Sequence, residues 1–533
     1  MVNLLDKQES DNKVNLLVAQ DINTKVDEYE AKLRKEMGLE VIDVDHFEKP
    51  FERPWTNDQK DSVTILFGGM TAAHDELVKE GMTGLGYNIR LLPCPDNESL
   101  STGKEYGNRG QCNPTYYTVG NLVKYLKELR DQGEKDIEER YVFVTAGACG
   151  PCRFGMYEAE YRKALRDAGF DEFRVMLFKQ SGGLSQSSED SALELNAKFG
   201  LTLIKGIMVG DMINDLGYQI RPYEIEEGAT DRVCAEAKEI LGDCLREKKS
   251  IWRGLRRVRK MYKTIKVDYT RVKPKVKITG EFWAQTTEGD GNYHMFSYLE
   301  SEGAEVLVEP IGTWIEYLIW SAKKNAEDHL VVDKTRKSFI RKVKLVQFAF
   351  RAYYNFYRWG LGFKSDSLPN QAKLADYASA YYDSHLKGGE GHLEVAKNIM
   401  ATKDNHAQMV ISLKPFGCMP STMSDGVQSK VVADYKDAIY LPIETSGDGE
   451  VNVRSRTQMK LYEAKIKARQ EVKDVLEKYN ITVDQVKEYV AKHPELNDPM
   501  RKLPHHHGIS TAANFIAMVA PRIKKTKKVA VAA

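Results

Sequence analysis

From Ser62 onward, short apolar runs alternate with longer amphipathic stretches, and this alternation most limits the folds open to the chain. The run Val63-Thr64-Ile65-Leu66-Phe67 ends in Gly68-Gly69 and leads into helical spacing from Ala73. Further runs lie at Asn88–Leu92, Tyr141–Thr145 and Phe173–Phe178, with helical patterns over Val119–Gln132 and Tyr157–Ala168. Apolar residues at i, i+3 and i+4 mark the helices; short β-branched or aromatic runs closed by Gly or Pro mark the strands. Strands alternating with helices predict an α/β fold, a mostly parallel sheet with helices on its faces. The pattern restarts at Val276–Thr279 and continues through Glu305–Val308, Gln408–Leu413 and Ala438–Leu441.

Two α/β units are therefore expected inside a longer chain. An N-terminal helical arm covers 1–60, and the first lobe covers 61–223. A charged helical linker covers 224–272, and a second lobe 273–453 carries an aromatic-rich helical insertion over 325–400. A helical region fills 454–533. The basic stretch from Arg253 to Lys266 reads as a solvated helix face, with an anion or partner patch as the alternative.

With 78 Lys and Arg against 77 Asp and Glu, no general basic field marks a nucleic-acid binder. No segment approaches the ~18–20 apolar residues of a membrane span, and the start shows no secretory pattern. The expectation is a cytoplasmic protein with neither nucleic acid nor membrane among its partners.

Seven cysteines are too few for a disulfide scaffold, but their places are informative. Ligands of open α/β sheets bind beyond the carboxyl ends of the strands. Cys149 and Cys152 follow the run Tyr141–Thr145, Cys418 follows Gln408–Leu413, and Cys94 follows Leu92. Cys112 sits in the Gly- and Asn-rich stretch Gly107–Pro114, just before a helix. Cys234 and Cys244 fall inside helical pattern and read as small buried apolar residues. Three readings of the loop thiols stand side by side: scattered packed thiols; a redox dithiol at Cys149-Gly150-Pro151-Cys152; or ligands of an iron–sulfur cluster. Zinc fits less well, because its ligands usually come as two tight pairs.

The stretch Gly147-Ala148-Cys149-Gly150-Pro151-Cys152-Arg153-Phe154-Gly155-Met156-Tyr157 resembles the 2-hydroxyacyl-CoA dehydratase component family, as do Gly107–Pro114 and Pro415-Phe416-Gly417-Cys418-Met419-Pro420. The nearest branch is that of the double-cubane cluster proteins and the C-terminal part of large CoA-enzyme activases. The resemblance runs from about Thr64 to Asp448. It implies two flavodoxin-like (Rossmann-like) lobes with a helical region, and a cluster between them, usually in a homo- or heterodimer. It also implies an ATP-hydrolysing activator, itself carrying a [4Fe-4S] cluster, that delivers low-potential electrons. Carried over by motif, Cys112, Cys152 and Cys418 would hold a [4Fe-4S] cluster. Cys94 and Cys149 are surplus to that set and are what a double-cubane [8Fe-9S] cluster would call for, with Cys234 the one candidate for a sixth ligand. The substrate implied is a 2-hydroxyacyl-CoA or a small reducible molecule; a non-catalytic electron relay and a C-x-x-C thiol–disulfide oxidoreductase are the alternatives.

Other residues have possible roles beside such a site. Arg153 can offset cluster charge or bond to backbone, or sit in a surface ion pair. Ser181-Gly182-Gly183 can turn backbone N–H groups toward a ligand, or form a plain turn. Glu281, at the end of the first strand of the second lobe, is a candidate acid/base. No P-loop pattern occurs, so ATP is expected on the partner.

Overall fold

The structure, a computed structural model, describes residues 25, 29, 31–33, 35–38, 55–147, 152–179, 192–386, 388–505 and 507–532. Cys149, Ser181 and Gly182 lie outside the described residues. Residues 1–51 and 52–533 form separate units, and the few described residues of the first are helix or turn.

The second unit holds two four-stranded sheets. The first consists of β1 (Thr64–Phe67), β2 (Asn88–Leu91), β3 (Tyr141–Gly147) and β4 (Arg174–Lys179), in the order β2-β1-β3-β4. The second consists of β5 (Lys275–Gly280), β6 (Glu305–Leu307), β7 (Met409–Pro415) and β8 (Ile439–Thr445), in the order β6-β5-β7-β8. Every strand pairing is parallel. The chain is α/β, with two lobes of one topology and helices around them. In each lobe the order reverses between the first and third strands, which opens a crevice at their carboxyl ends.

Side-chain alternation places the two layers on each first-lobe strand. Ile65 and Val142 join Val78 and Ile207 in one core, whereas Leu66 and Phe143 join Leu122, Val123 and Tyr161 in another. A period of two thus covers both faces of the sheet. In the second lobe β7 is buried at all seven positions, while β8 alternates toward solvent. Central parallel strands are covered on both faces and read as continuous apolar runs.

A third core joins the linker helices Ala229–Arg246 and Ile251–Tyr262 to the C-terminal helix Thr511–Ala532. The segment 325–400 contains helices Arg336–Gly360 and Gln371–Ala378 and most of Leu393–Lys403. The lobes are tied by Asp211, on helix Ala197–Ile220. Its buried carboxylate accepts from the backbone N–H groups of Ile311 (2.7 Å) and Gly312 (2.9 Å), the first residues of helix Ile311–Asp328. His74 Nε2 lies 3.1 Å from the same carboxylate.

Candidate functional site

Three thiols occupy one kind of place. Cys112 is the N-cap of helix Asn113–Asp131, and Cys418 the N-cap of helix Met419–Asp434; a proline follows two residues later in each. Cys152 is the N-cap of the short 3₁₀ turn Arg153–Met156, which runs into helix Tyr157–Asp167. Proline is at home in a helix's first turn, where its missing N–H is not needed. Cys152 follows β3 and Cys418 follows β7, topologically equivalent strands of the two lobes.

Backbone contacts bring these loops together. Asn113 N–H donates to the carbonyl of Phe416 at 3.0 Å, and its side-chain amide donates to the carbonyl of Thr445 at 2.7 Å. Gly417 is in the left-handed region (φ +77°), and a Cβ there would stand 3.3 Å from Cys112 Cα. Arg153 donates to the carbonyl of Gly110, so its guanidinium joins the Cys152 turn to the Cys112 loop. Of the roles expected for Arg153, the backbone bond is the one observed.

Acid groups from the second lobe adjoin the thiols. Gly280 ends β5 at φ +123°, where any Cβ would strike the Leu413 backbone, and Glu281 N–H then donates to the Leu413 carbonyl at 2.9 Å. Glu281 accepts from Ala284 N–H at 2.8 Å. Desolvation pushes its carboxyl up against two backbone donors that lower it, and the charge of Glu394 adds to the rise. Glu390 is buried; one oxygen accepts from Phe282 N–H at 2.7 Å, and the other, Oε2, has no partner among the described residues. Burial, with Glu281 and Glu394 adding, holds Glu390 well above the ordinary carboxylate range. Glu394 accepts from the hydroxyls of Ser421, at 3.0 Å, and Ser424.

Burial pushes the Cys152 thiol up to about 12 against one backbone donor, with Glu390, Glu281 and Cys112 adding to the rise. Burial likewise raises Cys418, with Glu281 and Glu390 adding. These two thiols thus share the same two carboxyl neighbours. Cys112 is buried, its sulfur 3.2 Å from Thr115 Oγ1 and 3.4 Å from the hydroxyl of Tyr157.

The remaining cysteines sit elsewhere. Cys94 lies 3.8 Å from Thr287 Oγ1, and its charged neighbours are Glu288 and Asp75 rather than Glu281 and Glu390. Cys234 pairs with the Tyr262 hydroxyl at 3.1 Å, and Cys244 is buried in the linker core. Among the described residues no three His, Cys, Asp or Glu side chains could hold a metal ion.

Glu390 and Glu394 come from the helical insertion and carry no motif of their own. The available signal is Gly388-Gly389-Glu390-Gly391-His392. Gly389 and Gly391 are both left-handed; a Cβ would meet Pro420 at 2.6 Å from the first and Tyr317 Oη at 2.5 Å from the second. Glycine there lets the loop press against the helix that Cys418 caps. Behind it, Lys277 and Lys397 both pair with the buried carboxylate of Glu309. A small cavity lined by Phe282, Gln285, Trp314, Glu390 and Lys397 adjoins this network.

No known family model matches the chain, and no curated protein is detectably similar to it. Among the described residues no helix is long and apolar enough to cross a membrane.

Proposed function

We propose that the chain is the iron–sulfur component of an ATP-dependent low-potential reductase or dehydratase system. It would receive electrons from an ATP-hydrolysing activator and act on a 2-hydroxyacyl-CoA or a small reducible substrate. The observation that supports this best is that Cys112, Cys152 and Cys418, drawn from both lobes, each cap a helical N-terminus, Cys152 and Cys418 after the equivalent strands β3 and β7, with the Cys112 loop bonded to both of their loops. Helix N-termini carry partial positive charge and favour an anionic group in front of them.

Cys112, Cys152 and Cys418 would hold a [4Fe-4S] cluster. A double-cubane [8Fe-9S] cluster would need further thiolates; Cys149 and Cys94 are the ones expected for it, and Cys94 has Thr287, Glu288 and Asp75 around it instead of the Glu281 and Glu390 that adjoin Cys152 and Cys418. When bound, the cluster supplies one-electron chemistry whose potential depends on charge, hydrogen bonds to sulfur and solvent exposure. The donor set fits: three thiols, two of them buried, with the Thr115 and Tyr157 hydroxyls against one sulfur. Glu281 and Glu390, both raised, would hold a proton beside the thiols, and Glu281 would serve as the acid/base.

Anoxic purification followed by iron and acid-labile sulfide analysis tests the proposal. Roughly four irons per chain are expected for a single cubane and roughly eight for a double one. Cys112→Ala, Cys152→Ala and Cys418→Ala should each lower bound iron, and Cys244→Ala should not. An iron-free protein with a titratable Cys149–Cys152 disulfide would replace this reading with the dithiol one. Turnover with activator, ATP and reductant separates an enzyme from an electron relay.

A further inference from the structure

Helix Leu393–Lys403 is buried from Leu393 to Ala401, yet it carries Glu394, Lys397 and Asn398 into that interior. Lys397 lines the cavity beside the turn that follows β5, whose volume of about 10 Å³ has room for one water. Three polar atoms of the cavity's lining residues are buried with no partner among the described residues: Glu390 Oε2, Gln285 Oε1 and Trp314 Nε1. Glu390 is only 4% exposed and Gln285 only 5%. Buried donors and acceptors are costly to leave unpaired, and three around one small cavity point to a ligand that pairs them.

One water meets all three needs. Its two hydrogens go to Glu390 Oε2 and Gln285 Oε1, and one lone pair accepts from the Trp314 indole N–H. The other lone pair is left for Lys397. That ammonium stands 3.8 Å from Glu309 Oε2, too far for a hydrogen bond, because Glu309 is already held by Lys277 and by the Thr313 hydroxyl at 2.9 Å. Glu390 Oε1 accepts from Phe282 N–H at 2.7 Å, which leaves Oε2 to carry the acid's proton.

We propose that this cavity binds one water and that the water passes protons between Lys397 Nζ and Glu390 Oε2. The transfer balances. When Glu390 gives up its proton, the water hands a hydrogen to Oε2 and takes one from the Lys397 ammonium. An O–H bond forms at Glu390 and an N–H bond breaks at Lys397. The water is restored, and neutral Lys397 recovers a proton from solvent. Burial raises Glu390 and lowers Lys397, so a dry interior favours the neutral pair that this transfer leaves. Delivery of the proton onward to the thiols rests on the iron–sulfur reading; the exchange between Lys397 and Glu390 does not.

Infrared spectroscopy of the full chain tests this. At neutral pH the wild type should show the C=O stretch of a protonated carboxyl that Glu390→Gln removes and Glu390→Asp shifts. After transfer into D2O that band should move as O–H becomes O–D. Lys397→Met and Trp314→Phe should each slow the move at least about tenfold, equivalent to on the order of 1.4 kcal/mol on the transfer barrier. A variant that merely loosened the packing would admit solvent and speed it. A crystal structure should place one water within about 3.2 Å of Glu390 Oε2 and Trp314 Nε1. A missing Glu390 band, a cavity without that water, or exchange as fast in either variant as in the wild type would overturn the proposal. An iron-free protein that exchanges as expected would overturn the iron–sulfur reading alone; an iron-loaded one whose variants exchange like the wild type would overturn the relay alone.

Discussion

The backbone N–H of Asn113 donates to the carbonyl of Phe416 at 3.0 Å, joining the residue after Cys112 to one two places before Cys418. Chain positions 303 residues apart, one from each lobe, are thereby held in register at the thiols. Gly417 keeps the approach close. Gly417→Val would force a β-branched residue into φ +77° and push its Cβ toward Cys112. We expect a destabilisation of about 1–3 kcal/mol and less iron per chain after anoxic purification, with far-UV circular dichroism unchanged.

Asp211 ties the lobes differently, through one carboxylate on the first turn of helix Ile311–Asp328. Asp211→Asn removes the charge and one acceptor while keeping the shape. Hydrogen bonds to charged groups contribute about 1.5–3 kcal/mol. A loss of that order should appear in urea unfolding, with little change in the m-value.

Glu309 stands between two buried lysines, Lys277 and Lys397. Lysines at such places are not stable as an unpaired couple. Glu309→Gln leaves both facing a neutral group and should cost about 3–5 kcal/mol. The double variant Glu309→Gln with Lys397→Met should recover part of that loss in the same denaturation assay, because one of the stranded charges is gone.

His392 is wholly buried, lies edge-on to Tyr317 and Trp320, and has no partner at either ring nitrogen among the described residues. Burial lowers it to about 4, with Lys397 adding to the effect. The unfolded chain therefore takes up this proton first as pH falls. Its contribution to stability is intact above about 6.5 and is lost as pH falls toward about 4, on the order of 3 kcal/mol in all. His392→Gln should flatten that part of the Tm-against-pH profile.

The sequence by itself determined the eight strands and the placing of cysteines after them. Both are local: a strand needs only a short apolar run closed by Gly or Pro, as in Val63–Gly69, and a parallel sheet puts its crevice at strand ends. The place of Cys112 just before a helix was legible for the same reason. Only the tertiary structure decided which thiols share neighbours. Cys94 follows a strand just as Cys152 does, yet it faces Thr287 and Glu288, because β2 lies at the sheet's edge and β3 next to the switch point. Only the tertiary structure supplied Glu390 and Glu394, which reach the thiols from a helical insertion. Their desolvation depends on the packing of Gly389 and Gly391 against Pro420 and Tyr317, and no periodicity along the chain encodes contacts made at that distance.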